Sequence, residues 1–242
     1  MSRRLDVLSS WCASGLRGSR GLWVRPVTRA PAQLFELYEA EGCPESRRVR
    51  ELLTALDLDA LIFPCPTGGT VYRPGVPAVP HLIDRERGTE VSGGDVVAYL
   101  ADVYGAGAPA RNGAVDRATS RLASAVRGRR GIRARPSRRP AEPLELYSFE
   151  ASPFARIARE TLSELELPYR LRNVGKGALA DFLLPAMRAR WAPRLPPSTR
   201  NRRALYERTG RVQVPYLVDP NTGVEMFESD AIRAYLIETY GA

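Results

Sequence analysis

The feature that most limits what this chain can fold into is an internal repeat. The segment Ser14–Pro26 (SGLRGSRGLWVRP) returns at Ser124–Pro136 (SAVRGRRGIRARP). The correspondence then continues in order. Leu34–Tyr38 pairs with Leu144–Tyr147, Glu41–Pro44 with Glu150–Pro153, and Arg47–Glu51 with Arg156–Glu160. Further along, Leu56–Leu58 pairs with Leu165–Leu167 and Val79–Asp84 with Val214–Asp219. Val97–Leu100 and Tyr104–Gly105 pair with Arg233–Leu236 and Tyr240–Gly241. So many matches in one order indicate duplication of a whole unit.

Each copy carries the same pattern. A short alternating strand (34–38; 144–148) runs into a proline at the first turn of a helix. That helix has apolar residues at helical spacing: Val49, Leu52, Leu53 and Leu56 in copy one, Ala158, Leu162 and Leu165 in copy two. A second strand follows (60–64; 168–173). A Val-Pro strand (79–84; 214–219), a tight turn, a brief strand ending at Val91 or Phe227, and a last helix (93–104; 229–239) complete the copy. The order is β-α-β-(α)-β-β-α, with the first crossover right-handed and its two strands parallel. The middle helix is expected to be missing from copy one, where Pro66–Ala78 holds little beyond Thr, Gly and Pro. Copy two has a longer insert, Gly177–Gln213. It includes an apolar patch, Leu179–Met187, expected to pack in the core, and a helical stretch, Arg200–Arg208.

The repeated arms are read as structural: a short helix near 5–16 and 115–126, then a basic extension ending in proline. The first thirty residues have the Arg- and Ser-rich character of an organelle transit peptide. Recurrence of the same arm in mid-chain argues against that and favours the cytoplasm. The division expected is therefore an N-terminal helical, basic arm (1–32), domain 1 (33–106), the repeated arm as linker (107–142) and domain 2 (143–242).

Composition narrows the function. The 242 residues carry a net charge of +9, and Lys176 is the only lysine. The arginines cluster in two runs, Arg17–Arg29 and Arg127–Arg139. Such runs can contact nucleic acid or anionic lipid, but they are read as solvated connectors, so nucleic acid is not expected as a partner. No apolar run reaches membrane-spanning length. Three cysteines, Cys12, Cys43 and Cys65, are too few and too odd in number for a secreted disulfide framework. One histidine and scattered cysteines give no metal-ligand cluster. Nothing in the pattern sets an oligomeric state.

Cys43–Ser46 (CPES), Ser152–Arg156 (SPFAR), the two Val-Pro pairs and Glu228–Ile232 (ESDAI) together carry a resemblance to a known family. Over nearly the whole chain the sequence resembles two tandem glutathione S-transferase N-terminal domains, relatives of glutaredoxin. The resemblance implies an α/β fold of two tandem thioredoxin-like domains, with glutathione or glutathionylated thiols as the ligands.

Cys43 stands where the first strand gives way to the first helix, and backbone N–H groups at a helix N-terminus favour a thiolate. Arg47 and Arg48, one turn on, are expected to add positive potential. Ser46 takes the place of the second cysteine of dithiol glutaredoxins, so Cys43 is the candidate monothiol nucleophile; an inert, half-buried cysteine is the alternative. Cys65 is a candidate second thiol, because the ends of two parallel strands lie on one edge. Cys12 pairs with Leu122 in the repeat and is expected to be buried.

The resemblance further implies that Pro80 and Pro215 are cis and that the backbones of Val79 and Val214 hold the cysteinyl part of glutathione. It implies that Glu228 and Ser229, opening the last helix, hold the γ-glutamyl end. A plain helix cap is the alternative there. Copy one has Ser92-Gly93 at this place, so Ser92 is its counterpart and the acid is lost. Ser152 replaces the thiol in copy two and is expected to hydrogen-bond a bound thiolate, with Arg156 and Lys176 assisting anion binding. His81 is read as a strand side chain.

The expected function is a glutathione-binding, glutaredoxin-like thiol-disulfide oxidoreductase working through Cys43. The alternative is a non-catalytic tandem thioredoxin-fold scaffold with degenerate glutathione sites. Glutathione transfer is disfavoured, because no helical domain follows the last helix.

Overall fold

The computed structural model describes residues 3–25, 30–105, 113–128, 130–183, 187, 190–191 and 195–242. Arg29, Arg129 and the Leu184–Ala186 part of the apolar patch lie outside them. Eight strands form one sheet in the order β4-β3-β1-β2-β6-β5-β7-β8. Copy one contributes β1 (Phe35–Glu39), β2 (Ala60–Pro64), β3 (His81–Asp84) and β4 (Thr89–Ser92). Copy two contributes β5 (Leu144–Ser148), β6 (Tyr169–Asn173), β7 (Tyr216–Asp219) and β8 (Val224–Phe227). Within each copy the first two strands are parallel and the others antiparallel. The element order is the one read from the repeat, and it is the thioredoxin-like order that the family resemblance implied. Pro80 and Pro215 have no N–H to give the ladder, so β3 and β7 begin just after them.

The two copies join through their parallel edges. Strands β2 and β6 pair antiparallel, Ala60 with Leu171, Leu61 with Arg170 and Ile62 with Tyr169. This register is two-fold about the Leu61–Arg170 pair. It removes two exposed sheet edges at once.

Among the described residues there are seven α-helices. Helices α2 (Pro44–Ala55) and α3 (Asp95–Tyr104) of copy one, and α5 (Pro153–Glu164) and α7 (Ser229–Tyr240) of copy two, cover the sheet. Their apolar stripes meet the inward residues of the strands in one continuous core. Phe35, Leu37, Val49, Leu53 and Leu100 lie in it with their counterparts Leu144, Leu146, Ala158, Leu162 and Leu236. Each copy is locked by a buried aspartate that accepts hydrogen bonds from two tyrosines. Tyr99 and Tyr104 donate to Asp84 at 2.7 and 2.5 Å, and Tyr235 and Tyr240 to Asp219 at 2.6 Å each.

The variable segments differ as their composition implied. Copy two has helix α6 (Arg200–Thr209), whose Leu205 packs on Tyr147, Val174 and Tyr216. Copy one has only a three-residue 3-10 turn, Arg73–Gly75. A run of rings occupies that region instead: Tyr38 stacks on Phe63 at 4.7 Å, and Phe63 meets Tyr72 at 5.1 Å. The described part of the apolar patch is not core. Leu179 is 79% and Phe182 42% exposed, and the Phe182 ring lies against Trp23 at 4.9 Å.

The arms are exchanged between copies. Helix α1 (Arg3–Leu16) precedes copy one but sits on α5 of copy two: Ser10 Oγ donates to the Pro153 carbonyl and Ser14 Oγ to that of Ala151. Helix α4 (Ala114–Val126) precedes copy two but sits on α2 of copy one, where Ser120 Oγ donates to the Pro44 carbonyl. The extensions cross as well. Trp23 bridges to Lys176, and Thr67 to Arg133.

The arginine runs are therefore not solvated connectors at their inner positions. Arg17 makes a two-pronged pair with Glu51 at 2.7 Å and reaches Asp116 at 2.7 Å. Arg127 does the same with Glu160, at 2.7 and 2.6 Å, and with Asp6 at 2.7 Å. Both arginines are 4% exposed, which makes these directional, charge-assisted bonds in a dry setting.

A second charge network lies buried where the copies meet. Arg50 Nε donates to Glu150 at 2.9 Å and Arg159 Nε to Glu41 at 3.0 Å, the same bond made twice across the pseudo-two-fold. Arg159 also reaches Glu150 at 2.9 Å, and Arg50 also binds Glu39. None of these five side chains is more than 2% exposed. The arginines Arg159, Arg50 and Arg47 outweigh burial and hold the Glu150 carboxyl well below the usual carboxylate range. Replacing Glu150 by Ala would leave Arg50 and Arg159 buried beside too little negative charge. We expect a loss of about 3–5 kcal/mol in unfolding free energy, read from urea titration.

Glu39 behaves oppositely. Burial first, and then the neighbouring Glu41 and Glu150 carboxylates, push it up to about 7, against the pull of Arg50. A carboxyl raised in the folded state binds its proton more tightly there than in the unfolded chain. The stability it contributes below the unfolded value is lost as pH rises through the folded one. Glu39→Gln mimics the protonated form. Its stability relative to the parent should therefore rise between about pH 5 and about pH 8 in paired urea titrations. A difference constant with pH would show that Glu39 does not titrate there.

Candidate functional site

The loop after β1 brings Cys43 to the N-cap of α2, in extended backbone (φ −71°, ψ 126°), with Pro44 as the first helical residue. Its amide donates to the Ala40 carbonyl at 2.9 Å, and its carbonyl accepts from Arg47 N at 3.0 Å. The side chain is partly exposed, with Sγ 4.0 Å from Glu45 Oε2. Strand β3 begins at His81 opposite Tyr38, near the end of β1, so the Val79-Pro80 peptide stands beside the Cys43 loop. That peptide is cis, as is Val214-Pro215. Gly93 N donates to the Pro80 carbonyl at 2.7 Å, which ties the approach to α3 to the same place. Three segments, around Cys43, Val79 and Gly93, therefore converge in copy one. Among the described residues, no backbone group bonds the amide or carbonyl of Val79 or Val214.

The turn before the last helix is displaced by one residue from the sequence alignment. His81 pairs with Ser92 and Tyr216 with Phe227, so Ser92 matches Phe227 and not Glu228. Gly93 (φ 62°) is the true counterpart of Glu228 (φ 75°), both in the left-handed region. Ser92 lies in β4, and its Oγ bonds His81 Nδ1 at 2.7 Å. Glu228 is exposed, with its carboxylate accepting from Gln213 Nε2; Ser229 is the buried first residue of α7.

The arms change what the other candidates can do. Helix α1 lies over the start of α5. Ser152 there is 2% exposed, and its Oγ accepts from Ala155 N at 3.2 Å, capping its own helix. Arg156, 1% exposed, does not face an anion site. Its guanidinium donates to the carbonyl and hydroxyl of Ser10 at 2.6 and 3.0 Å and to Ser14 Oγ at 3.0 Å. Burial, then the nearby Arg47, lowers its pKa to about 10. Lys176 is held by the arm backbone, with its ammonium 3.7 Å from the Phe182 ring centroid, and burial lowers it. In copy one, the expected positive potential beside Cys43 is already matched. Arg47 Nη1 lies 3.4 Å from Glu150 and Arg48 Nε donates to Asp116 at 2.6 Å.

The second arm also closes over the loop before Cys43. Gly42 N donates to the Gly131 carbonyl at 3.2 Å. A Cβ at Gly42 would stand 2.2 Å from Ile132 Cγ1 and 2.7 Å from the Arg130 carbonyl oxygen, so only glycine fits there. The sequence marked this glycine only as part of the repeated motif. Its role as a seat for the exchanged arm needs the fold.

The three cysteines are all free thiols. Cys12 is exposed rather than buried, because α1 turns its serines and charged residues inward. Cys65 follows β2, with its amide bonded to the Glu39 carbonyl at 2.7 Å, and is 3% exposed. Burial first, and then the Glu39 charge, pushes its thiol up to about 12. It is thus protonated near neutral pH, which makes it a poor resolving nucleophile. Iodoacetamide at neutral pH should label the accessible Cys12 and Cys43 well before Cys65, as read by peptide mass spectrometry over time. Cys65 labelled as fast as Cys12 in folded protein would contradict its burial.

No helix among the described residues is long and apolar enough to cross a membrane. No curated protein and no solved structure matches the chain. The family model described as the glutathione S-transferase N-terminal domain matches residues 37–108 and 146–242, one segment in each copy. With the element order and sheet topology already described, this match shows that the chain belongs to the glutathione S-transferase N-terminal domain family.

Proposed function

We propose that the chain is a glutathione-dependent thiol-disulfide oxidoreductase whose one working site is in copy one, with Cys43 as a monothiol nucleophile. The observation that carries this reading is the contrast between equivalent positions. Cys43 is a partly exposed sulfur at a helix N-cap beside a cis-proline loop, whereas Ser152 is buried and caps its own helix. Family membership supports glutathione as the ligand. The uncommitted Val79 backbone supports docking of its cysteinyl unit as an added edge strand.

In the proposed cycle the Cys43 thiolate attacks the glutathione sulfur of a mixed disulfide. A Cys43–glutathione disulfide forms, and the substrate thiolate leaves and takes up a proton. A second glutathione thiolate then attacks the glutathione sulfur held on Cys43, producing oxidised glutathione and restoring the Cys43 thiolate. Ser46, buried one turn into the helix, offers no sulfur for a shortcut within the motif.

The second reading is a binding scaffold without catalysis. It is favoured by the commitment of Arg47, Arg48, Ser152 and Arg156 to internal partners. Incubation with oxidised glutathione separates the two. The oxidoreductase reading expects one reversible glutathione adduct on Cys43, found by intact mass and peptide mapping. It also expects turnover of a glutathionylated peptide that falls by at least about 100-fold in Cys43→Ser. A folded, reduced protein that takes no adduct and shows no turnover would leave the scaffold standing.

A further inference from the structure

Helices α1 and α4 carry apolar residues at a regular spacing: Leu5, Leu8, Trp11 and Leu16 in one, Val115, Leu122 and Val126 in the other. A surface helix ordinarily turns such a stripe toward the core. Here it faces outward. Leu5, Leu8 and Trp11 are 54–58% exposed, Val115 is 75% exposed and Leu122 55%. The buried faces are the polar ones. Asp6, Ser10 and Ser14 of α1 with Arg17 just after it, and the equivalent Asp116, Ser120 and Ser124 of α4 with Arg127 just after it, bond the body of the protein or the other arm. The two helices pack side by side with both polar faces inward, so both apolar stripes look away from the body. A contiguous apolar face of this kind marks an interaction surface.

Charge decides what fits it. Among the described side chains of the two helices, the exposed charged ones are Arg4, Arg117 and Arg121, while the acids Asp6 and Asp116 are turned inward into salt bridges. An apolar face whose own exposed charges are all basic is complementary to an anionic surface that also admits apolar side chains. A second copy would instead set Arg117 and Arg121 against arginines of the same face. We propose that the paired outer faces of α1 and α4 seat this protein peripherally on a membrane containing anionic lipid. Leu5, Leu8 and Leu122 enter the headgroup–acyl boundary, Trp11 sits at that level with its amphipathic ring, and the arginines contact lipid phosphates. The net charge of +9 adds long-range attraction. The proposal is independent of Cys43 chemistry.

The test uses the full chain and two kinds of vesicle, phosphatidylcholine alone and phosphatidylcholine mixed with phosphatidylglycerol. Co-sedimentation should be at least about tenfold stronger with the anionic vesicles and weaken with added salt. Leu8→Glu combined with Leu122→Glu should reduce binding about tenfold or more while leaving the circular dichroism spectrum unchanged. In a Trp23→Phe, Trp191→Phe background, Trp11 emission should shift to the blue on anionic vesicles and be quenched by brominated lipid. If the glutamate variant fails to fold, that quenching decides alone. Absence of anionic vesicle binding overturns the proposal. So does a concentration-dependent dimer, dissociated by the glutamate pair, in protein that ignores vesicles. Binding to heparin as strong as to vesicles, with no change at Trp11, overturns it as well.

Discussion

The fold depends on two arginines crossing between two glutamates. Arg50 of copy one bonds Glu150 of copy two, and Arg159 of copy two bonds Glu41 of copy one. All four side chains are cut off from water, and each charge has one partner in the opposite copy beside one in its own. Such a pair adds little net stability against an apolar replacement, but it strongly penalises any packing that separates the charges. It sits next to the β2–β6 joint, where three residue pairs alone set the register of the two halves. Backbone pairing and buried charge therefore specify the same arrangement.

The exchanged arms follow from the same symmetry. Arg17 and Arg127 each join three elements: the helix of their own arm, the other arm, and the first helix of a domain. Because α1 rests on α5 and α4 on α2, neither domain can complete its surface without the arm of the other. This has a consequence for chemistry. The start of the first helix is where a thioredoxin-like domain presents its reactive side chain, and here it is also where an arm docks. In copy two the arm covers it; in copy one a partly exposed sulfur remains.

The sequence carried the repeat, the element order and most element positions, because period-two and helical patterns are local and each was seen twice. The cis prolines came from family resemblance rather than from any physical signal in Val-Pro. Other features were not legible, each for a physical reason. Arm exchange is invisible, since two near-identical arms have two near-identical docking sites and the pattern of one copy does not say which it takes. Cys12 was expected inside because apolar spacing normally marks the inward face, and here polar side chains hold that face. Ser92-Gly93 was set opposite Glu228-Ser229 in the repeat, whereas the strand register and the positive φ shared by Gly93 and Glu228 place Ser92 opposite Phe227. The fate of Arg156 could not be read either, because its partners Ser10 and Ser14 lie far away in sequence.

The departures from symmetry gather in one copy. Cys43 is matched by Ser152, Cys65 by Val174 and Glu39 by Ser148. Each change in copy two serves packing: Ser152 caps α5, Val174 packs with Leu205 of α6, and Ser148 accepts from Arg159 at 2.6 Å. Each residue in copy one is less comfortable. Glu39 is a third carboxylate in a network that two arginines already balance, and Cys65 is a thiol held protonated in part by that carboxylate. A duplicated unit needs only one copy to stay reactive, and the other is then free to accumulate stabilising substitutions. Among the described residues, buried side-chain atoms without a hydrogen-bond partner occur in both copies, Ser46 Oγ and Arg47 Nε in one and Arg156 Nε and Tyr169 Oη in the other, so this asymmetry rests on Glu39 and Cys65. Glu39 and Cys65 lie in the half of the sheet that carries Cys43, and copy two reaches that half through the charges of Arg159 and Glu150 around Glu39.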